Sequence, residues 1–229
     1  MEDIKPIAMP GTHQKFMGYF KKLQLDKTSR LLDIGAGHGA FSKNLHEMGF
    51  QVSACDLFPD NFYYDAIECK KADITTAIPY PDATFDVVLA VEVIEHILDH
   101  EVFFKESARI LKPNGKLLLS TPNILSLKSR LKFLFSGFPY SFGPLEMNNH
   151  NGLQHVNSRT IDQYNYIAAK QGFNEGRFEI DRVQSSSRWA LIFLFPLLWT
   201  IGRLKRYPAI HNDPRLLLGR LLFIEYVKK

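Results

Sequence analysis

In the first half of the chain, short apolar runs alternate with longer amphipathic stretches. Leu31–Ile34, Val52–Asp56 and Phe85–Val91 are almost continuously apolar, and so read as strands of a parallel sheet covered on both faces. The stretches near Thr12–Leu25 and Phe41–Met48 carry helical periodicity, and a third helix ends at Arg109-Ile110-Leu111. A Pro113-Asn114-Gly115 turn then leads into another strand. The pattern predicts alternating strands and helices to about Thr121, an α/β order. After Pro122 it breaks into a Gly-, Pro-, Asn- and His-rich stretch to about Ser158, followed by a helix near Arg159–Gln171. Phe173–Val183 and Gly219–Tyr226 are strand-like, with a long apolar insertion between them.

The first strand runs into Asp33-Ile34-Gly35-Ala36-Gly37-His38-Gly39, and the second ends on an acid, Asp56, seventeen positions past Gly39. Glycines on a tight strand-to-helix turn permit positive φ and close approach of a ligand to the main chain, with a helix N-terminus behind them. A carboxylate closing the second strand can accept hydrogen bonds from a ribose. A dinucleotide turn would read Gly-x-Gly-x-x-Gly; the spacing here favours another nucleoside cofactor, with a nicotinamide or flavin cofactor and an ordinary structural turn as the alternatives. The nicotinamide reading also wants a Tyr-x-x-x-Lys pair, and Tyr166 and Lys170 supply one, but beyond the fifth strand. No Asn-Pro-Pro-Tyr signature of base amino-group methylation follows the fourth strand, where Val91-Glu92-Val93 stands.

The segment resembles the first motif of the class I S-adenosylmethionine (SAM) methyltransferases. Lys71-Ala72-Asp73-Ile74, Glu92-Val93-Ile94-Glu95-His96 and Arg109–Leu119 follow in that family's order, so the resemblance covers about Leu31 to Asn123. It implies a doubly wound, seven-stranded, mostly parallel Rossmann-like sheet closed by a terminal hairpin, and SAM as cofactor. By the same resemblance Asp33, Gly35, Ala36, Gly37, Asp56, Leu57, Asp73, Ile74, Val91 and Glu92 border SAM. Asp33 would orient its amino-acid part and Asp73 the adenine amine.

A chain of 229 residues, 45% hydrophobic, suffices for one large domain over 1–229, with substrate-side insertions at about 122–158 and 184–216. Cys55 and Cys69 lack metal-ligand spacing and read as free thiols in a reducing compartment. No signal pattern and no membrane-spanning run is evident, so a cytoplasmic place is expected. Charge divides along the chain: residues 1–121 carry 13 basic against 17 acidic side chains, and residues 122–229 carry 15 against 7. The basic residues alternate with Leu and Phe, which speaks against nucleic acid. Leu125–Phe138 and Arg188–Arg206 are the clearest cases. Trp189 to Gly202 is too short to span and is interrupted by Pro196. It reads either as a helix at a membrane surface or as helices buried in the core or a homodimer interface.

Methyl transfer to a hydroxyl calls for a base near neutral pKa. His96 at the end of the fourth strand and His150 and His155 in the following insertion are the catalytic candidates; His38 reads as packing and His13 as a residue folded over the cofactor. If helical, Glu92, Glu95 and His96 share one face and can hold a divalent ion, although a polar helix start accounts for the same residues and no metal is assigned. The Glu-Val-Ile-Glu-His stretch resembles ubiquinone-biosynthesis O-methyltransferases, and the later layout resembles methyltransferases of surface-glycan pathways. The expectation is therefore O-methylation of a glycan or lipid-linked small molecule at the inner membrane face. The alternative is an inactive SAM-binding scaffold subunit of a glycan assembly complex.

Overall fold

A computed structural model describes residues 4–149, 151–207 and 209–229. Seven strands form one sheet in the order β3-β2-β1-β4-β5-β7-β6. They are β1 (Arg30–Ile34), β2 (Gln51–Asp56), β3 (Cys69–Lys71), β4 (Phe85–Val91), β5 (Leu111–Pro122), β6 (Arg177–Ile180) and β7 (Leu221–Val227). The first five pair in parallel, and β7 runs antiparallel between β5 and β6. The seven-stranded, mostly parallel sheet and its closing hairpin are as expected, although β6 is much shorter than Phe173–Val183. Only single bridges, Phe173 to Lys228 and Val183 to Gly219, extend it. The Pro113-Asn114-Gly115 turn sits inside β5, where pairing with β4 jumps from Phe85↔Leu111 to Val87↔Lys116 and Asn114 takes a φ of 62°.

The alternation of side chains along β1 and β4 separates two apolar layers. Leu31, Val87 and Leu89 face helices α1 (Thr12–Lys22) and α2 (Ala40–Glu47), meeting Phe16, Phe20, Phe41 and Leu45. Leu32, Ile34, Val88 and Ala90 face α3 (His100–Ile110) and α5 (Ile161–Lys170), meeting Phe103, Phe104, Tyr164 and Ile167. Both layers are fully buried, which is why the central strands tolerate no polar alternation except Asp33 and Asp86.

The two insertions flank the C-terminal edge of the sheet. The first holds α4 (Leu127–Ser136). The second holds α6 (Ser185–Lys205), a short 3-10 turn at Ala209–Asn212, and α7 (Pro214–Leu218). Pro196 does not interrupt α6. It removes one backbone donor within a continuous helix of 21 residues, and Thr200 Oγ1 donates back to the Pro196 carbonyl at 2.7 Å. Among the described residues no helix is long and apolar enough to cross a membrane.

Candidate functional site

Parallel strands leave a crevice beyond their carboxyl ends, where the strand order reverses between β1 and β4. A cavity of about 470 Å³ lies there, within the range of small-molecule sites. Its floor is the glycine turn. Gly35 has φ 65° and a Cβ there would stand 2.5 Å from Val93 Cγ2, so neither the backbone nor the packing admits a side chain. The turn is held from below by Gly35 N donating to the Cys55 carbonyl at 2.9 Å and from the side by Gly37 N donating to Asp56 Oδ2 at 2.8 Å. Asp56 Oδ1 accepts from Phe58 N at 2.8 Å. A carboxylate offers about four acceptor positions, so two remain for a ligand.

Gly35, Ala36, Gly37, Asp56, Leu57, Asp73, Ile74, Val91 and Glu92 all line this cavity, together with His96 and His155. Asp33 does not. It lies beneath the turn, 2% exposed, where its carboxylate accepts from Ser42 Oγ at 2.6 Å. Burial pushes its pKa up to about 7, with the Ser42 hydrogen bond pulling the other way. Its place in the sequence motif is thus that of a support under the loop. Asp73 is exposed, with Oδ1 engaged by Thr75 N and Thr75 Oγ1 at 2.9 and 2.6 Å.

Glu92, Glu95 and His96 do not share a helical face. Glu92 has a φ of 56°, a strained conformation for a side-chain-bearing residue, and helix begins only as the 3-10 turn Ile94–His96. Ser120 holds that strain in place: its Oγ accepts from Glu92 N and donates to Glu92 Oε1, both at 2.9 Å. Burial raises the pKa of Glu92, and the Ser120 hydrogen bond opposes it. Glu95 is instead fully buried, and neither carboxylate oxygen has a hydrogen-bond partner among the described residues. Desolvation, reinforced by Glu92, raises its pKa well above the ordinary value.

The break at Glu92 turns His96 toward His155, whose ring lies edge-on at 4.9 Å between centroids. His96 Nδ1 is 3.0 Å from the Gln154 carbonyl, which fixes that ring, whereas His155 Nδ1 is buried without a partner among the described residues. Both imidazoles are shifted toward the neutral form by burial, His155 further by its neighbour His96. One donor atom from each of Glu95, His96 and His155 lies within 4.8 Å of the others, a spacing that also suits a divalent cation. Of the three histidine candidates, His150 lies outside the described residues.

Two parts of the wall lie outside the predicted site residues. The segment Pro6–Met9 folds over the glycine turn, with Ile7 against Gly37 and the Lys5 carbonyl 3.0 Å from His38 Nδ1. It is fastened by Arg220, which is buried and paired with Asp181 at 3.2 Å. Arg220 also reaches Thr12 Oγ1 at 3.1 Å and Met9 Sδ at 2.9 Å. The second part is the loop carrying Ser141, Gly152 and Leu153. His13 also lines the cavity, with its Nδ1 unpartnered among the described residues and burial lowering its pKa to about 4. Tyr166 and Lys170 lie elsewhere: Lys170 pairs with Glu101 at 3.0 Å, and Tyr166 is exposed outside the cavity wall.

A family model described as a methyltransferase domain matches residues 12–175. A ubiquinone biosynthesis O-methyltransferase of Bradyrhizobium diazoefficiens is 39% identical over 103 residues, covering 41% of this chain and 40% of that protein. One of Methylocella silvestris is 29% identical over 169 residues, covering 70% and 65%. The matched region thus spans less than two thirds of the length of these curated relatives. Among solved structures, a SAM-dependent methyltransferase from Archaeoglobus fulgidus superposes with a TM-score of 0.62 at 18% identity, covering 94% of this chain and 93% of that one.

Proposed function

The chain belongs to the class I SAM-dependent methyltransferases, and from that premise we propose that it methylates a hydroxyl group of a glycan or lipid-linked small molecule. The observation that carries the proposal is the pairing of His96 and His155, both held toward neutrality, on the wall of the cavity that the glycine turn floors.

The residues present fit the cofactor. The glycine turn admits no Cβ at Gly35, Asp56 keeps acceptor capacity toward the cavity, and Ile74 and Val91 supply apolar walls. Gly35, Ala36, Gly37, Asp56, Leu57, Asp73, Ile74, Val91 and Glu92 would hold SAM, with Asp33 bracing the loop. When bound, SAM supplies an electrophilic methyl group, so the protein's work is alignment and handling of one proton. A hydroxyl becomes a better nucleophile as its proton leaves, and a neutral imidazole accepts that proton. His155 has the freer ring, and His96, fixed by the Gln154 carbonyl, orients it. Among phenolic and sugar hydroxyls, the relatives named for ubiquinone biosynthesis favour a phenolic or lipid-linked acceptor.

A second reading uses the same cluster. The orphaned carboxylate of Glu95, with His96 and His155, would hold a divalent cation that lowers the acceptor hydroxyl's pKa in place of a base.

The test is transfer of labelled methyl from SAM into fractions of a cell extract, separated into lipid-soluble and water-soluble acceptors, in the presence and absence of a chelator. A labelled product that survives the chelator but disappears in His155→Asn supports the base; one abolished by the chelator supports the cation, for which His155 is also a ligand. S-adenosylhomocysteine binding with no labelled product in any fraction would move the assignment to a non-catalytic scaffold.

A further inference from the structure

Helices α4 and α6 form one body with an exposed apolar surface. Arg130 of α4 donates to the Leu125 carbonyl at 2.9 Å and also to the His211 carbonyl, and Asn212 Nδ2 donates to the Leu198 carbonyl of α6 at 3.0 Å. Arg130 is therefore a half-buried strut and not one of the free cations. On α6, Leu191, Leu194, Phe195, Leu198 and Gly202 recur at helical spacing on the more buried side. The opposite side should be polar in an ordinary surface helix. Instead Phe193 is 77% exposed and Trp189 72%, and on α4 Phe135 is 85% exposed.

The charge around this surface has one sign. Segments 125–138 and 185–206 contain Lys128, Lys132, Arg188, Arg203, Lys205 and Arg206 besides Arg130, and no Asp or Glu. Exposed aromatic and aliphatic groups beside cations that have no acidic partner among the described residues match the boundary layer of a bilayer with anionic headgroups, where each basic residue near the surface and each buried methylene adds to binding. A second copy of the chain would present the same positive rim to itself, so charge opposes self-association through this face.

We infer that the α4–α6 surface docks the protein on an anionic lipid bilayer. The face is continuous with the cavity cover. Lys132 Nζ donates to the Phe142 carbonyl at 2.7 Å, and Tyr140 N donates to Ser129 Oγ at 3.2 Å. Phe142 in turn packs edge-on against His155 at 5.4 Å, next to Ser141 on the cavity wall. Docking through α4 therefore places the cover of the cavity at the lipid surface. Lipid binding itself is independent of the reaction; only the delivery of a lipid-linked acceptor rests on the function proposed above.

The chain has two tryptophans, Trp189 and Trp199, and both lie on α6, so selectively excited tryptophan emission reports this helix and excludes the nine tyrosines. The full chain is titrated with phosphatidylcholine vesicles, with and without phosphatidylglycerol, and in parallel floated on a density gradient. The expected result is a blue shift and flotation with the anionic vesicles, weakened by salt. Removing three cations in Arg203→Gln/Lys205→Gln/Arg206→Gln should weaken partitioning about 100-fold. Phe135→Glu/Phe193→Glu should abolish it while leaving S-adenosylhomocysteine affinity unchanged. The inference is overturned by absence of flotation with either vesicle, by charge and apolar variants that float like the parent, or by sedimentation showing a dimer that already shields both tryptophans and binds no vesicles. Loss of vesicle binding with intact cofactor affinity separates failure of this surface from failure of the methyltransferase reading.

Discussion

Replacing Asp56 by alanine separates a ligand-binding carboxylate from a loop staple, because its four acceptor positions are divided between the two jobs. Gly37 N and Phe58 N occupy two, each at 2.8 Å. The other two are available to the paired hydroxyls of a ribose. Hydrogen bonds to a charged acceptor contribute ~1.5–3 kcal/mol each, so losing two weakens a nucleoside ligand by roughly 3 kcal/mol or more. That is an affinity loss of at least about 100-fold at ~1.4 kcal/mol per decade. Stability should suffer less. Phe58 N is exposed and takes water, and only the half-buried Gly37 N is left wanting, at a cost of about 1 kcal/mol.

The assay is calorimetric titration with S-adenosylhomocysteine beside thermal unfolding of the same samples. Asp56→Asn keeps one acceptor oxygen and should fall between parent and alanine in affinity, with a Tm close to the parent. An alanine variant whose Kd stays within about threefold of the parent while its Tm drops would refute the reasoning. The carboxylate would then serve the turn and not the ligand.

Three further outcomes follow from buried groups. His155→Asn should lower kcat by ~10²–10⁴ with cofactor affinity unchanged. Because burial lowers the His155 pKa, the parent's acid limb should fall below the ordinary histidine value; a limb at or above that value would remove the imidazole from the role of base. Glu95 has a raised pKa in the fold, so above the ordinary carboxyl pKa the unfolded chain releases a proton that the folded chain keeps, and stability falls as pH rises, by up to about 1.4 kcal/mol per unit. Glu95→Gln should remove that slope, so its Tm advantage widens from pH 6 to pH 8; a parent more stable than the variant at pH 8 would point to a bound cation. Arg220→Met leaves the buried Asp181 carboxylate with only the longer Arg182 ion pair at 3.6 Å and should cost up to ~3–5 kcal/mol in urea unfolding, whereas a cost below about 1 kcal/mol would show that Arg182 or water takes over the pairing.

The sheet was legible because burial on both faces leaves a simple mark: past Asp86, Val87–Val91 is unbroken apolar sequence. The glycine turn was legible for a similar reason, since Gly35 is forced by a backbone angle and by Val93 together. The interpretation of Glu92 failed where local periodicity meets a tertiary constraint. A run of Glu, Val, Ile, Glu and His fits a helix, but the contacts with Ser120, 28 residues away, hold Glu92 at positive φ and split the motif between two environments. Asp33 was read as a ligand contact from its place in the motif, but its side chain turns to Ser42 one helical turn into α2. Likewise Pro196 was expected to break a helix whose other bonds suffice to carry it.

The clamp of Arg220 shows why the fastening of the cavity cover could not be read from the sequence. It touches Thr12 and Met9 across more than 200 residues and Asp181 across 39, so no window of sequence contains its partners. Yet those partners are what close the cavity: the N-terminal segment lies over the glycine turn, and the second insertion begins just after Asp181. Breaking the clamp therefore acts on two walls at once. If the segment Pro6–Met9 is held down by Arg220, then Arg220→Met should weaken S-adenosylhomocysteine binding although Arg220 does not line the cavity. The loss should appear as faster dissociation, because the floor formed by Gly35 and Asp56 is unchanged and only the cover is loosened. Unchanged dissociation in a folded variant would mean that Pro6–Met9 stays in place through the contacts of Ile7 and Lys5 alone.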